Sequence, residues 1–422
     1  MPVNFIPATV IHRTKIVSKF VLVQLCVQAL GLVNGILLVR TLDQQQYAYF
    51  TIANTMQGTM NILADSGISS AITAVGGKVW QDRYRFGQLI NTAMLLRRYF
   101  ALIAVVVVTP LLIWMLVGNG SSIVYAVFIT VGVLVGLNFQ LTTSVLGVVP
   151  RLHSQLNRIQ NIELIAAFSR LIFLVVALFI FLDAGVAIYI ASIVFGLQHF
   201  VLNRWVGENI DKKAPINEED KATIFNIVKP QTPNAIFYCV QGQLNIWLIG
   251  LFGNTQNIAE FGALGRLAVI FSVFSAVMSG IVLPSFARCQ SVKILSRRYW
   301  QIIGGFCVFG LMLVSLAVFF PSQVLWILGN QYQYLESEVV LMVASTVLSS
   351  LAGIMWSINS AKAWIEYAWI EPPLRVVLQI ILLMSLDISS VKGVLIFNII
   401  STTSPILINA ILTYRGFLIS SI

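Results

Sequence analysis

Long stretches of the chain contain no charged residue. Residues 20–39, 44–64 and 99–150 carry none at all. A helix needs about 20 apolar residues to cross the hydrocarbon core of a membrane, which is about 30 Å thick. Only 10% of the 422 residues are charged, whereas a soluble protein carries roughly a quarter. The sequence therefore predicts an all-α polytopic membrane protein.

The apolar runs predict about twelve transmembrane helices, near residues 17–39, 47–76, 99–117, 123–146, 162–182, 184–205, 233–252, 258–284, 299–320, 338–361, 372–386 and 391–414. The second predicted span contains Asp65 and many small polar residues. The eleventh is short and begins at Pro372-Pro373, which suits the first turn of a helix. No small-residue cleavage site follows the first run, so we expect it to stay as a span and not to be removed as a signal peptide.

Basic residues predict the orientation, because loops on the cytoplasmic side of a membrane are enriched in Lys and Arg. If the N-terminus lies inside, the external segments contain only Arg40 and Lys392. The cytoplasmic segments then contain Arg13, Lys15, Lys19, Lys78, Arg83, Arg85, Arg97, Arg98, Arg151, Arg158, Arg204, Lys212, Lys213, Lys221, Lys229, Arg288, Lys293, Arg297, Arg298, Lys362 and Arg415. This asymmetry places both chain ends in the cytoplasm. It also accounts for the net charge of +10, so the basic composition gives no support to nucleic acid as a partner.

An internal repeat predicts that one six-span unit is used twice. Leu-Leu-Arg-Arg-Tyr-Phe at 95–100 opens the third span, and Leu-Ser-Arg-Arg-Tyr-Trp at 295–300 opens the ninth. Arg170 and Asp183 of the fifth span correspond to Arg375 and Asp387 of the eleventh. Around the first external loop, a set of residues recurs at a constant offset of 211, namely Asn34, Leu37, Gln45, Ala48 and Phe50 as Asn245, Leu248, Gln256, Ala259 and Phe261.

The repeat also predicts the domain organisation. Six spans per unit is an even number, so we expect two parallel-related six-helix bundles around a central cavity. The N-terminal bundle is expected at 1–205 and the C-terminal bundle at 233–422. Residues 206–232, which are rich in charge, are expected to form a solvated cytoplasmic linker between them.

Ionisable residues inside spans are costly to keep there and are therefore candidates for function. Arg170 lies thirteen residues, about 20 Å of helix, from the external end of the fifth span. The candidate residues for the cavity are Arg170, Arg266, Arg375, Asp65, Asn34 and Asn245. Glu163 lies seven residues before Arg170 on the same face, and Glu371 lies four before Arg375. Both glutamates are expected to form ion pairs with these arginines.

Other interpretations exist for the same residues. An Arg near the end of a helix, such as Arg266 or Arg375, can extend to the lipid headgroups, and Asn245 can form hydrogen bonds between helices. The histidines and cysteines lie far apart, without metal-ligand spacing, so no metal is expected. We find no ATP-binding loop and no nucleophile elbow, and therefore expect no cofactor and no enzymatic activity.

Residues 40–50, Arg-Thr-Leu-Asp-Gln-Gln-Gln-Tyr-Ala-Tyr-Phe, with Asp65-Ser66-Gly67 after them, resemble the polysaccharide or O-antigen flippases. The pattern of that family is roughly Arg-x-Leu-Gly-x-x-x-Tyr-Gly followed by Asp-x-Gly, and here Asp43 and Ala48 replace its two loop glycines. The family belongs to the multidrug/oligosaccharidyl-lipid/polysaccharide exporter superfamily. The length, the predicted spans and the repeat extend the resemblance over the whole chain.

The resemblance implies a protein of the bacterial inner (plasma) membrane with a V-shaped pair of bundles. Such a protein moves a polyprenyl-diphosphate-linked oligosaccharide outward during the synthesis of a surface polysaccharide, such as O-antigen, capsule or exopolysaccharide. A coupling ion, proton or sodium, and glycan polymerase and chain-length proteins are further candidate partners. Family members tend to place basic residues in the cavity for the anionic head. Arg170, Arg266 and Arg375 are the candidates here, by their chemistry and not by a motif.

Two other functions are compatible with the sequence. A cation-coupled multidrug antiporter of the same superfamily would need acidic groups in its cavity, and Asp65 is the main unpaired candidate. The excess of arginines over unpaired acids favours the flippase. A membrane glycan polymerase or ligase would be expected to carry a large external loop for catalysis. The longest external loop predicted here runs only from about Pro321 to Ser337.

Overall fold

The computed structural model describes residues 8–153, 155–229, 232–269, 271, 278, 286, 292–362 and 364–420. Every regular element among these residues is helical. The helices are α1 (Ala8–Thr41), α2 (Gln44–Asp65), α3 (Ile68–Val79), α4 (Arg83–Gly118), α5 (Ile123–Leu146), α6 (Val148–Leu152), α7 (Leu156–Ile180), α8 (Ala184–Val206), α9 (Glu218–Val228), α10 (Thr232–Phe252), α11 (Thr255–Gly265), α12 (Val292–Phe319), α13 (Pro321–Trp326), α14 (Glu336–Ala361), α15 (Glu371–Ser385), α16 (Val391–Ser401) and α17 (Thr403–Ser420).

Ten segments within the described residues are long and apolar enough to cross a membrane. The predicted all-helical, many-span fold is therefore confirmed. The eighth predicted span, 258–284, begins in α11 and a 3₁₀ turn at Arg266–Ala268, and most of its remainder lies outside the described residues. The twelfth predicted span consists of two helices, α16 and α17, which meet at Thr402.

The prediction of the second span as a single helix is wrong, because the helix is interrupted between α2 and α3. Ser66 and Gly67 adopt left-handed conformations, with φ of 39° and 99°. Glycine reaches positive φ without the steric penalty that a Cβ imposes. The Ser66 hydroxyl donates a hydrogen bond of 2.5 Å to the carbonyl of Leu63, which supports the turn. The Asp65-Ser66-Gly67 sequence thus ends one helix and starts another.

The helix that contains the third predicted span, 99–117, begins well before that span. This helix, α4, has 36 residues, about 54 Å at 1.5 Å per residue. The prediction started the span after Arg97 and Arg98 because both were taken as loop charges. Arg97 is instead inside the protein, 2% exposed. A buried charged residue that has an ion-pair partner on another helix can lie within a helix that pattern analysis would end before it.

Contacts group the chain into two compact units. Val33–Ala259 forms the first unit, and Met1–Leu32 together with Glu260–Ile422 forms the second. In the first, α2 packs against α4, α5, α8 and α10. In the second, α14 packs against α12, α16 and α17. The predicted halves at 1–205 and 233–422 stay a prediction, since they describe a sequence repeat and not a grouping of contacts.

The segment at 206–232 is more closely packed than its charge predicts. It is an interdomain connection by sequence, but Ile210, Ile224 and Val228 are buried in an apolar cluster with α3 and α4. The Asp220 carboxylate, on α9, forms a bidentate ion pair with Arg85 of α4. Asn91 of α4 donates to the carbonyl of Ala214 over 2.8 Å. The expectation of a solvated linker is therefore corrected in part: Asp220 and the Ala214 carbonyl are paired with the N-terminal part of α4, while Lys212, Lys213, Glu218 and Glu219 are exposed.

Candidate functional site

The first unit contains a cavity of about 150 Å³. Its polar wall consists of Asn54 and Gln57 of α2, Gln140 of α5 and Arg170 of α7. The rest of the wall is formed by Phe50, Gly58, Ile188, Ala191 and Phe195. These lining residues include one permanent positive charge, three amides and no carboxylate. The cavity is therefore suited to an anionic group that also carries hydrogen-bonding groups.

Arg170 reaches this cavity from the middle of α7, ten residues before the end of that helix at Ile180. Residues close to it on the helix, Phe168 and Ile172, are 54% and 45% exposed. In a membrane protein such an exposed apolar face contacts lipid. The half-buried guanidinium is turned away from lipid, toward the polar wall. The structure thus places the first of the predicted arginines at a cavity.

The amides of the wall are held close together by small residues behind them. Gln57 Nε2 donates to Gln140 Oε1 over 3.4 Å, which links α2 to α5. A Cβ added to Gly136 of α5 would lie 3.0 Å from Gln57 Nε2 and 2.6 Å from Ser192 Oγ. That contact is closer than real side chains allow. Glycine at position 136 therefore permits the close approach of α2, α5 and α8. The packing at Gly136 therefore holds the amides of Gln57 and Gln140 together in the wall.

Asn34 lies beside the cavity helix and not on the cavity wall. It is 3% exposed on α1, and its Nδ2 donates to the backbone carbonyl of Ala167 over 3.1 Å. Ala167 precedes Arg170 by three residues on α7, which is about one turn. Asn34 therefore fixes α1 against α7 near Arg170. Its repeat partner Asn245 lies half-buried on α10.

Asp65 is not the unpaired acid that the sequence led us to expect. Its Oδ1 lies 3.1 Å from Nη1 of Arg97, and the Ser69 hydroxyl donates to the same oxygen. Arg97 also donates to Asn61 Oδ1 over 3.3 Å. The Asp65 side chain is 30% exposed, whereas that of Arg97 is 2% exposed. The carboxylate thus neutralises a buried cation at the break between α2 and α3.

The remaining predicted residues have other environments. Arg375 Nη1 lies 3.6 Å from Glu371 Oε1, at the spacing of one helical turn that the sequence indicated. Both side chains are largely buried in the second unit, at 14% and 7% exposure. Arg266 is half-buried in the 3₁₀ turn that follows α11. Glu163 is half-buried on α7, and its pairing with Arg170 stays a prediction.

Sequence reasoning missed the amides of the wall and the role of Arg97. Gln140 could have been found, because an amide in the middle of the apolar run 123–146 needs a partner or a cavity. The signal for Arg97 was the spacing of Asn61, Asp65 and Ser69, which on an unbroken helix would place three polar groups on one face. Such a face requires a partner, and Arg97 is that partner.

The chain matches no protein-family model and no curated protein sequence. Its fold is nevertheless shared with solved membrane transporters. The Lipid II flippase MurJ, in an inward closed conformation, is 12% identical over 95% of this chain and 89% of its own, with a TM-score of 0.73. A multidrug resistance MATE family transporter of the MOP superfamily, in an inward-facing conformation, is 14% identical over 92% and 95%, with a TM-score of 0.70. A eukaryotic MATE transporter is 12% identical over 97% and 98%, with a TM-score of 0.64.

These likenesses extend over nearly the whole chain, and identities this low show the fold alone. The chain thus has the fold shared by MATE transporters and MurJ, and it is a multi-pass membrane protein. The sequence resemblance had led us to expect a transporter fold of this kind. The narrower resemblance to polysaccharide or O-antigen flippases stays a prediction.

Proposed function

We propose that this protein is a flippase that moves a polyprenyl-diphosphate-linked oligosaccharide from the cytoplasmic to the outer leaflet of the bacterial plasma membrane. It would work by alternating access, as a transporter and not as an enzyme, in the synthesis of a surface polysaccharide. The observation that carries the proposal is Arg170 in a cavity with Asn54, Gln57 and Gln140 and without a carboxylate. The likeness of the fold to a protein described as the Lipid II flippase MurJ supports it.

The chemistry of this substrate explains why such a cavity is needed. A diphosphate with a hydrophilic glycan cannot cross hydrocarbon unaided, because each charge and hydroxyl would lose its water. A guanidinium can offer two parallel N–H donors to one phosphate group. Amide side chains can both donate to and accept from sugar hydroxyls. The polyprenyl tail can stay in lipid while the polar head passes through the cavity.

A cation-coupled multidrug antiporter is the second candidate, because MATE transporters are among the similar structures. An antiporter of this kind needs a carboxylate to bind its coupling cation or its cationic drug. The cavity described in the first unit has none in its wall, and Asp65 is already paired with Arg97. These observations favour the flippase over the antiporter.

A deletion strain tests the proposal. We expect loss of a surface polysaccharide and accumulation of its lipid-linked unit on the cytoplasmic leaflet, inaccessible to an impermeant lectin or glycosidase. Loss of an antiporter would change sensitivity to cationic drugs and leave the glycan intact. Loss of a polymerase or ligase would leave the lipid-linked unit on the outer leaflet. A stalled unit that the impermeant reagent can reach would contradict the flippase function.

A further inference from the structure

The segment between α14 and α15 contains a short tandem repeat whose two copies lie in different environments. Trp364-Ile365-Glu366 is followed five residues later by Trp369-Ile370-Glu371. The first tryptophan is half-buried, whereas the second is 70% exposed. The two copies therefore differ in what surrounds them, and the exposed Trp369 is available for a contact outside the protein.

The first copy fixes the segment onto the last helix, α17. The backbone N–H of Trp364 donates to the carbonyl of Asn359 over 2.8 Å. Its indole stacks edge-on against Phe417, with ring centroids 5.1 Å apart. A Cβ at Gly416 would collide with the indole. The path of the segment is therefore set by contacts with α17, and the exposure of Trp369 is a property of a fixed backbone.

A positive charge is held beside this segment. The guanidinium of Arg415, on α17, lies over the ring of Tyr367 at 4.1 Å from its centroid. Its Nη2 also donates to the Tyr367 hydroxyl over 3.4 Å. Arg415 is exposed, and no carboxylate of the described residues lies within 4.0 Å of it. The ring orients the cation on one side and leaves its other side open.

The surfaces that lead to this place face lipid. On α17, exposed apolar and aromatic side chains follow one stripe, formed by Leu407, Ile411, Tyr414 and Leu418. On α15, which packs against α17, a similar stripe is formed by Val377, Ile381 and Met384. In a membrane protein such stripes contact acyl chains. Trp and Tyr at the end of such stripes lie at the level of the lipid headgroups, so Arg415 lies where phosphates are found.

We propose that Arg415, Tyr367 and Trp369 form a binding site for the headgroup phosphate of an anionic membrane phospholipid. The guanidinium contacts the phosphate, the Tyr367 ring orients it, and the Trp369 indole lies among the headgroups. This site belongs to the second unit, whereas the Arg170 cavity belongs to the first. It requires only that the protein spans a membrane, and it does not depend on which substrate is moved.

The test uses the full-length protein in detergent, with bound lipid counted by native mass spectrometry. Phosphatidylglycerol is the anionic probe and phosphatidylcholine the zwitterionic one. We expect Arg415→Gln to weaken phosphatidylglycerol binding about fivefold, as loss of one basic contact at an anionic surface implies, and to leave phosphatidylcholine binding unchanged. Tyr367→Phe should bind as the parent does, because it keeps the ring, and Tyr367→Leu should bind more weakly.

The matched control is Arg204→Gln, which removes an exposed arginine at the end of α8 in the first unit. It should bind phosphatidylglycerol as the parent does. An equal loss in Arg204→Gln and Arg415→Gln would overturn the site, as would no loss in Arg415→Gln. A polyprenyl diphosphate that displaces phosphatidylglycerol at equimolar concentration would show instead that the site serves the transported lipid. Binding of phosphatidylglycerol does not depend on the transported substrate, so failure of the deletion test above would leave the results expected for Arg415→Gln and Arg204→Gln unaffected.

Discussion

The Arg-Arg-Tyr motif occurs at corresponding places in α4 and α12, yet its two copies lie on opposite faces of their helices. In α4, Arg97 is 2% exposed and Tyr99 is 54% exposed. In α12, Tyr299 is 4% exposed and Arg297 is exposed. The first copy of the motif therefore buries its arginine and exposes its tyrosine, and the second copy does the opposite. The face that a helix buries is decided by the elements that surround it, and not by the motif.

The buried faces themselves do correspond, but with a different register. From the motif toward the C-terminus, the buried positions have the same spacing in both helices. They are Arg97, Ala101, Ala104 and Val108 in α4 and Tyr299, Ile303, Phe306 and Gly310 in α12. This register is shifted by two residues from that of the motif. Two residues rotate a helix by about 200°. The motif was thus a valid sign of the repeat but a poor guide to its alignment.

The repeat around the first external loop behaves differently, because there the copies agree in structure. Asp43 Oδ1 accepts from the N–H of Gln46 over 2.7 Å, and Asn254 Oδ1 accepts from the N–H of Asn257 over 2.8 Å. Both residues cap the start of a helix at an offset of 211. A cap depends on residues within three positions of each other. Local chemistry of this kind is preserved between copies, whereas the choice of buried face is not.

The largest expected difference between the copies of the motif concerns its first arginine. Arg97→Gln leaves Asp65 without its cation, and we expect a loss of about 3 kcal/mol of stability, at the lower end for a buried ion pair because Asp65 keeps some exposure. Arg297→Gln changes an exposed residue and should lie within about 0.5 kcal/mol of the parent. Thermal unfolding of both variants in the same detergent measures the difference.

The double variant Arg97→Gln/Asp65→Asn sharpens that comparison. If the ion pair is the cause, the double variant should be less destabilised than the sum of its two single variants, because the second change removes the unpaired carboxylate. Equal unfolding temperatures for Arg97→Gln and Arg297→Gln would contradict the opposite burial of the two copies.

The helix caps should show the smallest difference between copies. Asp43→Ala and Asn254→Ala each remove one side-chain acceptor for a backbone N–H, at a cost of about 1 kcal/mol. Because the local geometry is the same, the two variants should lose similar stability in the same unfolding assay. A cost confined to one of the two positions would show that the repeat is not in register at this loop.

Much of the fold could be predicted from the sequence, because charge-free apolar runs have few alternatives to membrane spans. The bounds of α5, α8 and α14 differ from prediction by two residues or fewer. The long first half of α4 was missed because Arg97 was assigned to a loop, whereas its partner Asp65 lies on α2. The break was missed because Asp65-Ser66-Gly67 was taken as a polar stretch within one span, although the left-handed Ser66 and Gly67 end α2 there. Hydropathy records the cost of a charge but not whether its partner lies on another helix.

The candidate site was predicted in part. Arg170 was found because a charge deep in a span indicates a cavity or a partner. Gln57 and Gln140 were not selected, because an amide is tolerated between helices at many positions, and only the approach at Gly136 shows that these two meet. Asn34 was selected for its recurrence in the repeat, and the structure gives it a contact between helices.

The central claim is that Arg170 contacts the diphosphate of a transported lipid, and a reconstituted transport assay tests it most directly. Proteoliposomes carrying the parent, Arg170→Gln, Arg170→Lys or Arg158→Gln are given a polyprenyl-diphosphate-linked oligosaccharide whose glycan is read by an impermeant lectin. Arg158, on the same helix, forms an exposed ion pair with Glu208 and is the matched control. We predict that Arg170→Gln slows transfer roughly thirtyfold at subsaturating substrate, because about 2 kcal/mol of charge pairing is lost. Arg170→Lys should keep part of the rate, and Arg158→Gln should transfer as the parent does. Transfer by Arg170→Gln at the parent rate would contradict the claim.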